Sequence, residues 1–309
     1  MGRLLRRRSV QAVLVVWAIG VCFVALSGPT LQFDWPSAAN MSTGFQLLSA
    51  HIQILWVFVL IGLTLFVTRR RVVVDFATRA PASALNRTEL SFIIGYAVVA
   101  QLVGVGFGGL IGIYPVSLHL CGSVFGISTT VSPTNVYAWV TYNLVVYALI
   151  PYAVFRARGY SNEALSLKSA DRRADLLLIA LILILESAFE LMFEHNIFNL
   201  SGHQLLVGTP ATLLIYFLGA SLPIMVFIYA ILLPRYLKLT GSIVDTVVLG
   251  GVTYAALHLF EAWTLWDSPK NAALSLIFLM FQYFGPVWSS RCSRFAREMP
   301  GSTSGLTIP

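Results

Sequence analysis

The sequence predicts an all-α fold: a polytopic transmembrane bundle of about eight spans with both termini in the cytoplasm. Three observations carry that expectation. Hydrophobic residues make up 57% of the 309 positions and charged residues 11%, against roughly 25% charged in soluble domains. Apolar runs of helical span length recur from one end of the chain to the other. The basic residues gather in alternate inter-span segments, as membrane orientation requires. A net charge of +7 would point to nucleic acid in a soluble chain, but this distribution excludes nucleic acid as a partner and leaves membrane lipid.

Met1 to Arg8 carries Arg3, Arg6, Arg7 and Arg8, and Ser9 to Leu26 is the first uncharged apolar run. It reads as a first transmembrane helix, with a cleaved signal peptide ending near Ala25-Leu26-Ser27 as the rival. Further runs follow at Leu48 to Thr68, Leu90 to Ile113, Tyr137 to Phe155, Asp175 to Phe193, Gly208 to Leu233, Ser242 to Trp266 and Asn271 to Ser289. Loop charge tests this count independently. Arg69, Arg70, Arg71, Arg79 and Arg87 follow the second run; Arg156, Arg158, Lys168, Arg172 and Arg173 the fourth; Arg235 and Lys238 the sixth; Arg291, Arg294 and Arg297 the eighth. With the N-terminal four, 19 of the 20 basic residues lie on one side and Lys270 alone on the other. One helix more or fewer would destroy the alternation.

The outer segments are then Ser27 to Leu47, Tyr114 to Val136, Glu194 to Val207 and about Asp267 to Lys270. The second holds GSVFGISTTVSPTN and no formal charge, a composition suited to a segment that dips back into the interface. The three cysteines, Cys22, Cys121 and Cys292, fall in a span, an outer loop and the inner tail, so no disulfide framework or CxxC site is expected. Asn40, Asn86 and Asn199 begin N-x-Ser/Thr triplets that occur by chance, and no glycosylation is inferred.

Chemistry has few residues to rest on inside the membrane. Glu186, Glu190 and Glu194 recur every four positions on the fifth span, so a helix stacks them along one face. His258 and Glu261 share a face of the seventh span at i and i+3. Counting about 1.5 Å per residue from the outer ends puts Glu186, Glu190 and His258 at similar depth. Ionisable groups at that depth are functional candidates by default. A carboxylate there has the chemistry of a general base, and His258 with Glu261 has the chemistry to ligate a divalent metal such as zinc. The rival reading is a hydrogen-bonded network that packs helices. His51, His119, His195 and His203 read as interfacial or solvated, Asp245 as a helix-start charge, and Gly250-Gly251 as a close helix contact. No GxSxG, HExxH or GxxxxGK[ST] run occurs, against a serine hydrolase, a zincin or an NTPase.

Two stretches resemble a known family. YALIPYAVFRARGYSNEALSLKSADRRAD, Tyr147 to Asp175, and ILLPRYLKLTGSIVDTVVLGGVTYAALHLFE, Ile231 to Glu261, are similar to the core segments of the CPBP (CAAX protease and bacteriocin-processing, or Abi) intramembrane proteases. The likeness covers about half the chain. It includes the basic RxRGxSxExLxL loop, the LLPR turn and the FxxxH motif, with Tyr254 in place of Phe and His258 as the histidine. The family's EExxxR register holds Ile224, Met225 and Tyr229 here, and the HxxxN register near MFQYFGPVW offers Gln282. The resemblance implies a glutamate that activates water and a histidine that binds metal or oxyanion. His258 is the position that matches, and Glu186 and Glu190 are candidate replacement carboxylates.

The expected organisation is an N-terminal four-span region over 1–155, a cytoplasmic basic loop over 156–174, a CPBP-like four-span core over 175–290 and a cytoplasmic tail over 291–309. The expected location is a bacterial cytoplasmic membrane. Three functions stand against one another: a metal-dependent endopeptidase rebuilt around Glu186, Glu190 and His258; a noncatalytic factor for a peptide or membrane-protein partner; and an ion or small-molecule carrier lined by the glutamates.

Overall fold

The computed structural model describes residues 6–27, 42–69, 76–113, 115–116, 132–165, 167–169, 171–193, 200–261 and 264–284. Among these there is no strand. The helices are α1 (Arg8–Ser27), α2 (Thr43–Thr68), α3 (Ser83–Leu110), α4 (Pro133–Ala157), α5 (Arg172–Phe193), α6 (Gln204–Thr240), α7 (Ile243–Ala256) and α8 (Pro269–Leu279), the last continuing through a widened turn, Met280–Phe284. Four of them, α1, α3, α4 and α6, are long and apolar enough to cross a membrane, as befits an integral membrane protein. Their surfaces agree: Leu14, Val15, Val98, Leu102, Leu177, Ile184 and Leu213 are all exposed, a surface that would be costly in water and is ordinary against lipid.

Three of the boundaries that differ from the hydropathy reading bear on the polar residues. Helix α3 begins at Ser83, seven residues before Leu90, because the hydropathy run starts only where Arg87 and Glu89 end. Helix α6 runs on through Leu233, Pro234 and Arg235 to Thr240, where Gly241 takes a left-handed conformation (φ 61°) and its N–H closes on the Leu237 carbonyl. The LLPR segment is therefore helix, not a turn. Helix α7 stops at Ala256, and 257–260 form turns, so His258 and Glu261 leave the helix instead of sharing a face of it.

Proline explains a second irregularity. Helical segments with widened, i to i+5 turns occupy Leu144–Leu149, Gln204–Gly208, Phe217–Ser221 and Ile224–Leu232. Each ends two residues before a proline: Pro151, Pro210, Pro223 and Pro234. A proline ring clashes with the carbonyl four residues back and offers no N–H, and a wider turn moves that carbonyl aside.

The core is the second half of α6. Val226 to Leu237 are all buried, packed by Ile93, Ala97 and Ala100 of α3, Tyr147 and Phe155 of α4, and Val247 of α7. On α4, the Trp139 ring lies against Gly219 of α6 so closely that a Cβ added there would sit 2.5 Å from it. One end of the bundle gathers the starts of α1, α3 and α7 with the ends of α4 and α6. Arg7 donates to Ser242 and pairs with Asp245, which also accepts from Ser9, while Glu89 joins Arg158 and Arg235. Of the expected outer segments, 28–41 and 117–131 with His119, Glu194 and His195 lie outside the described residues, as does the tail 291–309.

Candidate functional site

Among the buried polar residues of α3 are Glu89 and Gln101, twelve positions and so about 18 Å apart along the axis. Each organises a cluster.

The cluster nearer Gln101 contains His258. Gln101 donates from its side-chain amide to the Leu257 carbonyl at 3.0 Å and to the Tyr147 hydroxyl at 2.9 Å, which fixes the turn that follows α7. In that turn the His258 Nδ1 lies 2.6 Å from the Tyr254 carbonyl. A carbonyl only accepts, so Nδ1 carries a proton and Nε2 is the nitrogen turned toward Glu261. That nitrogen is 3.7 Å from Glu261 Oε1, ion-pair range but longer than a hydrogen bond. The Tyr283 hydroxyl donates to Glu261 Oε2 at 2.9 Å. The Tyr283 ring stacks on His258 at 3.7 Å between centroids and the Tyr254 ring meets it edge-on at 4.5 Å. Imidazole and carboxylate are thus walled by two tyrosines, and His258 is 0% and Glu261 3% exposed.

The expected glutamates stand elsewhere. Glu186 is half-buried on α5 and accepts from Trp56 Nε1 of α2 at 3.2 Å. Helix α5 packs on α2, whereas α7 packs on α6, α1 and Met280–Phe284, so the two halves of the expected site have different neighbours. The side chains of Glu190 and Gln282 lie outside the described residues. Among the described residues no three His, Cys, Asp or Glu side chains converge as metal ligands. His258 and Glu261 are two donors, one short of the three protein ligands of a catalytic zinc. His51 bridges helices, its Nδ1 against Leu47 and its Nε2 accepting from Trp17; His203 is exposed.

The second cluster has no counterpart in the sequence reading. Arg235 of α6 donates to Glu89 Oε2 from Nε at 2.8 Å and Nη2 at 2.6 Å, and both side chains are 1% exposed. The Tyr160 hydroxyl lies 3.1 and 3.0 Å from the two Glu89 oxygens, and Arg158 Nη2 is 3.0 Å from Oε1. Arg235 also donates from Nη1 to the Ile231 carbonyl and lies over the rings of Phe155 and Tyr160, 4.4 and 5.1 Å from their centroids. Asn86 closes the arrangement by donating to the Arg235 carbonyl. Burial pushes the Tyr160 phenol above its ordinary value, with the Arg235 cation opposing, so the hydroxyl stays protonated as a donor.

The chain matches no family model, no curated protein and no solved structure.

Proposed function

We propose that this is a divergent CPBP-like integral membrane protein, crossing about eight times with both termini in the cytoplasm, that binds a peptide or membrane-protein partner without hydrolysing it. The observation that carries the reading is the closure of the His258–Glu261 pair. A general base must reach both a water and the atom that the water attacks. Here one Glu261 oxygen accepts from Tyr283, the other faces His258, and both residues are walled by aromatic rings. The expected second carboxylate, Glu186, is engaged by Trp56. The two stretches that resemble CPBP segments lie close in the fold: Arg158, Tyr160 and the LLPR arginine converge on Glu89, and the turn after α7 is held by Gln101.

A carrier is less favoured. Of the glutamate column expected to line its path, Glu186 is engaged by Trp56, and the α3 clusters supply no other route, because the buried face between Glu89 and Gln101 holds Ile93, Ala97 and Ala100, which offer an ion no ligands.

The test compares wild type with Glu261→Gln in proteoliposomes, measuring cleavage of a membrane-inserted peptide library beside partner capture from membranes of the same source. The amide still accepts from Tyr283, so the fold and capture are expected to be unchanged, with no cleavage by either protein. Cleavage by wild type that falls by about 100-fold or more in Glu261→Gln, the loss expected for a missing general base, would overturn the reading in favour of a rebuilt protease.

A further inference from the structure

We propose that the open side of the Glu89 cluster binds a phosphate oxyanion, the chemistry shared by an anionic phospholipid headgroup and a free phosphate ester. A cavity of about 190 Å³ is lined by Leu85, Glu89, Arg158, Gly159 and Tyr160. Its electrostatics are uneven. Both Glu89 oxygens are already engaged by Arg235, Arg158 and Tyr160. Two guanidiniums therefore meet one carboxylate, and the exposed Arg156, which donates from Nη1 to the carbonyl of the lining residue Tyr160, adds a third positive charge beside the cavity. The acid next along the loop, Glu163, is held by Lys168 at 2.7 Å and does not balance them.

Arg158 spends Nη2 on Glu89 while 40% of its side chain remains exposed. The rest of its planar donor fork has the geometry that phosphate takes in bidentate fashion. Gly159, at φ 90° and with nothing within 4 Å of a built Cβ, adds no side chain to the wall. Helix α4 ends at Ala157, so the cavity lies at one end of a membrane-length helix, where headgroups sit. The buried pair below it keeps the floor in place: Arg235 cannot swing out without abandoning Glu89, so Arg158 is the lining base left to meet a ligand, with Arg156 next to it at the Tyr160 carbonyl.

The experiment uses the full chain. In nanodiscs of phosphatidylcholine with and without phosphatidylglycerol, native mass spectrometry counts retained anionic lipid; in detergent, thermal shift is read against inorganic phosphate. Wild type is expected to retain phosphatidylglycerol over phosphatidylcholine, Arg158→Gln to lower that preference roughly tenfold, the factor for losing a hydrogen bond to a charged group, and Arg156→Gln to lower it by a smaller factor. Lys238→Gln, an exposed base on α6 away from the cavity, is expected to leave it unchanged. Lipid retention without a phosphate shift identifies a headgroup as the source, and a phosphate shift lost in the two arginine variants identifies a soluble ester; either upholds the site. Neither signal, or an equal loss in Lys238→Gln, overturns it. If Arg158→Gln unfolds for want of a partner to Glu89, Arg156→Gln decides, because that side chain is exposed and bonds the Tyr160 carbonyl.

Discussion

The two buried polar clusters on α3 solve the same problem in opposite ways. At Glu89 a full ion pair is sunk among helices and made tolerable by saturation: two guanidiniums and a phenol surround one carboxylate. At His258 charge is met by enclosure, with a phenol donating to Glu261, a carbonyl at Nδ1, one ring stacked on the imidazole and another edge-on to it. The first keeps one edge open through Arg158; the second is closed. Burying a charge costs several kcal/mol unless geometry and hydrogen bonds recover it, so the saturated cluster is the stronger lock and the enclosed one the more easily altered. Of the two, the cluster with an open edge is the better placed to meet another molecule.

That comparison can be broken most directly at Glu89. Glu89→Ala leaves Arg235 buried and unpaired, and is expected to cost about 3–5 kcal/mol, read as loss of folded protein by size-exclusion and thermal unfolding in detergent. The double variant Glu89→Leu with Arg235→Met should recover a large part of the loss; no recovery would mean the pair is not what holds α3 to α6. Next in size is a purely steric control, Gly219→Ala, whose added methyl meets the Trp139 ring. Overpacking predicts about 1–3 kcal/mol in the same unfolding assay, with neither cluster touched.

In the enclosed cluster, Tyr283→Phe removes the donor to Glu261 and keeps the ring on His258. A loss of about 1 kcal/mol is expected, well below that of Glu89→Ala. An equal or larger loss would reverse the ranking of the two locks. The smallest effect concerns a surface pair. Lys168 holds the Glu163 carboxyl down to about 2. Its pKa is lowered in the fold, so the contact is complete above the ordinary carboxylate range and lost as pH falls through about 2. Carboxyl titration by NMR should find Glu163 still ionised near pH 3, about a unit below the ordinary range, and Glu163→Gln should leave the unfolding midpoint unchanged at neutral pH, because the pair is fully solvated.

Legibility of the sites turned on small errors of position. The third hydropathy run begins at Leu90 and the sixth ends at Leu233, so Glu89 and Arg235 fall one and two residues outside the expected spans and read as loop charge. In the structure both are inside helices. Had the boundaries been drawn by helix ends, with Gly241 as the stop signal for α6, an unmatched acid in one span and a base in another would have called for pairing. His258 and Glu261 were legible because they interrupt an apolar run and are three residues apart. Their surroundings were not: Tyr283 is 22 positions from Glu261, and Gln101 is 156 from Leu257.

The sequence alone determined the helical membrane architecture, the segregation of basic residues and the presence of a histidine-glutamate pair near the end of the seventh run. These are properties of local periodicity and composition, readable within a window of a few turns. Tertiary structure decided the partners: Glu89 with Arg235 across 146 positions, Glu186 with Trp56 across 130, and a turn in place of helix at His258. Pairing at such separations follows from which helix faces pack together, and the pattern along any one helix carries no record of its neighbour.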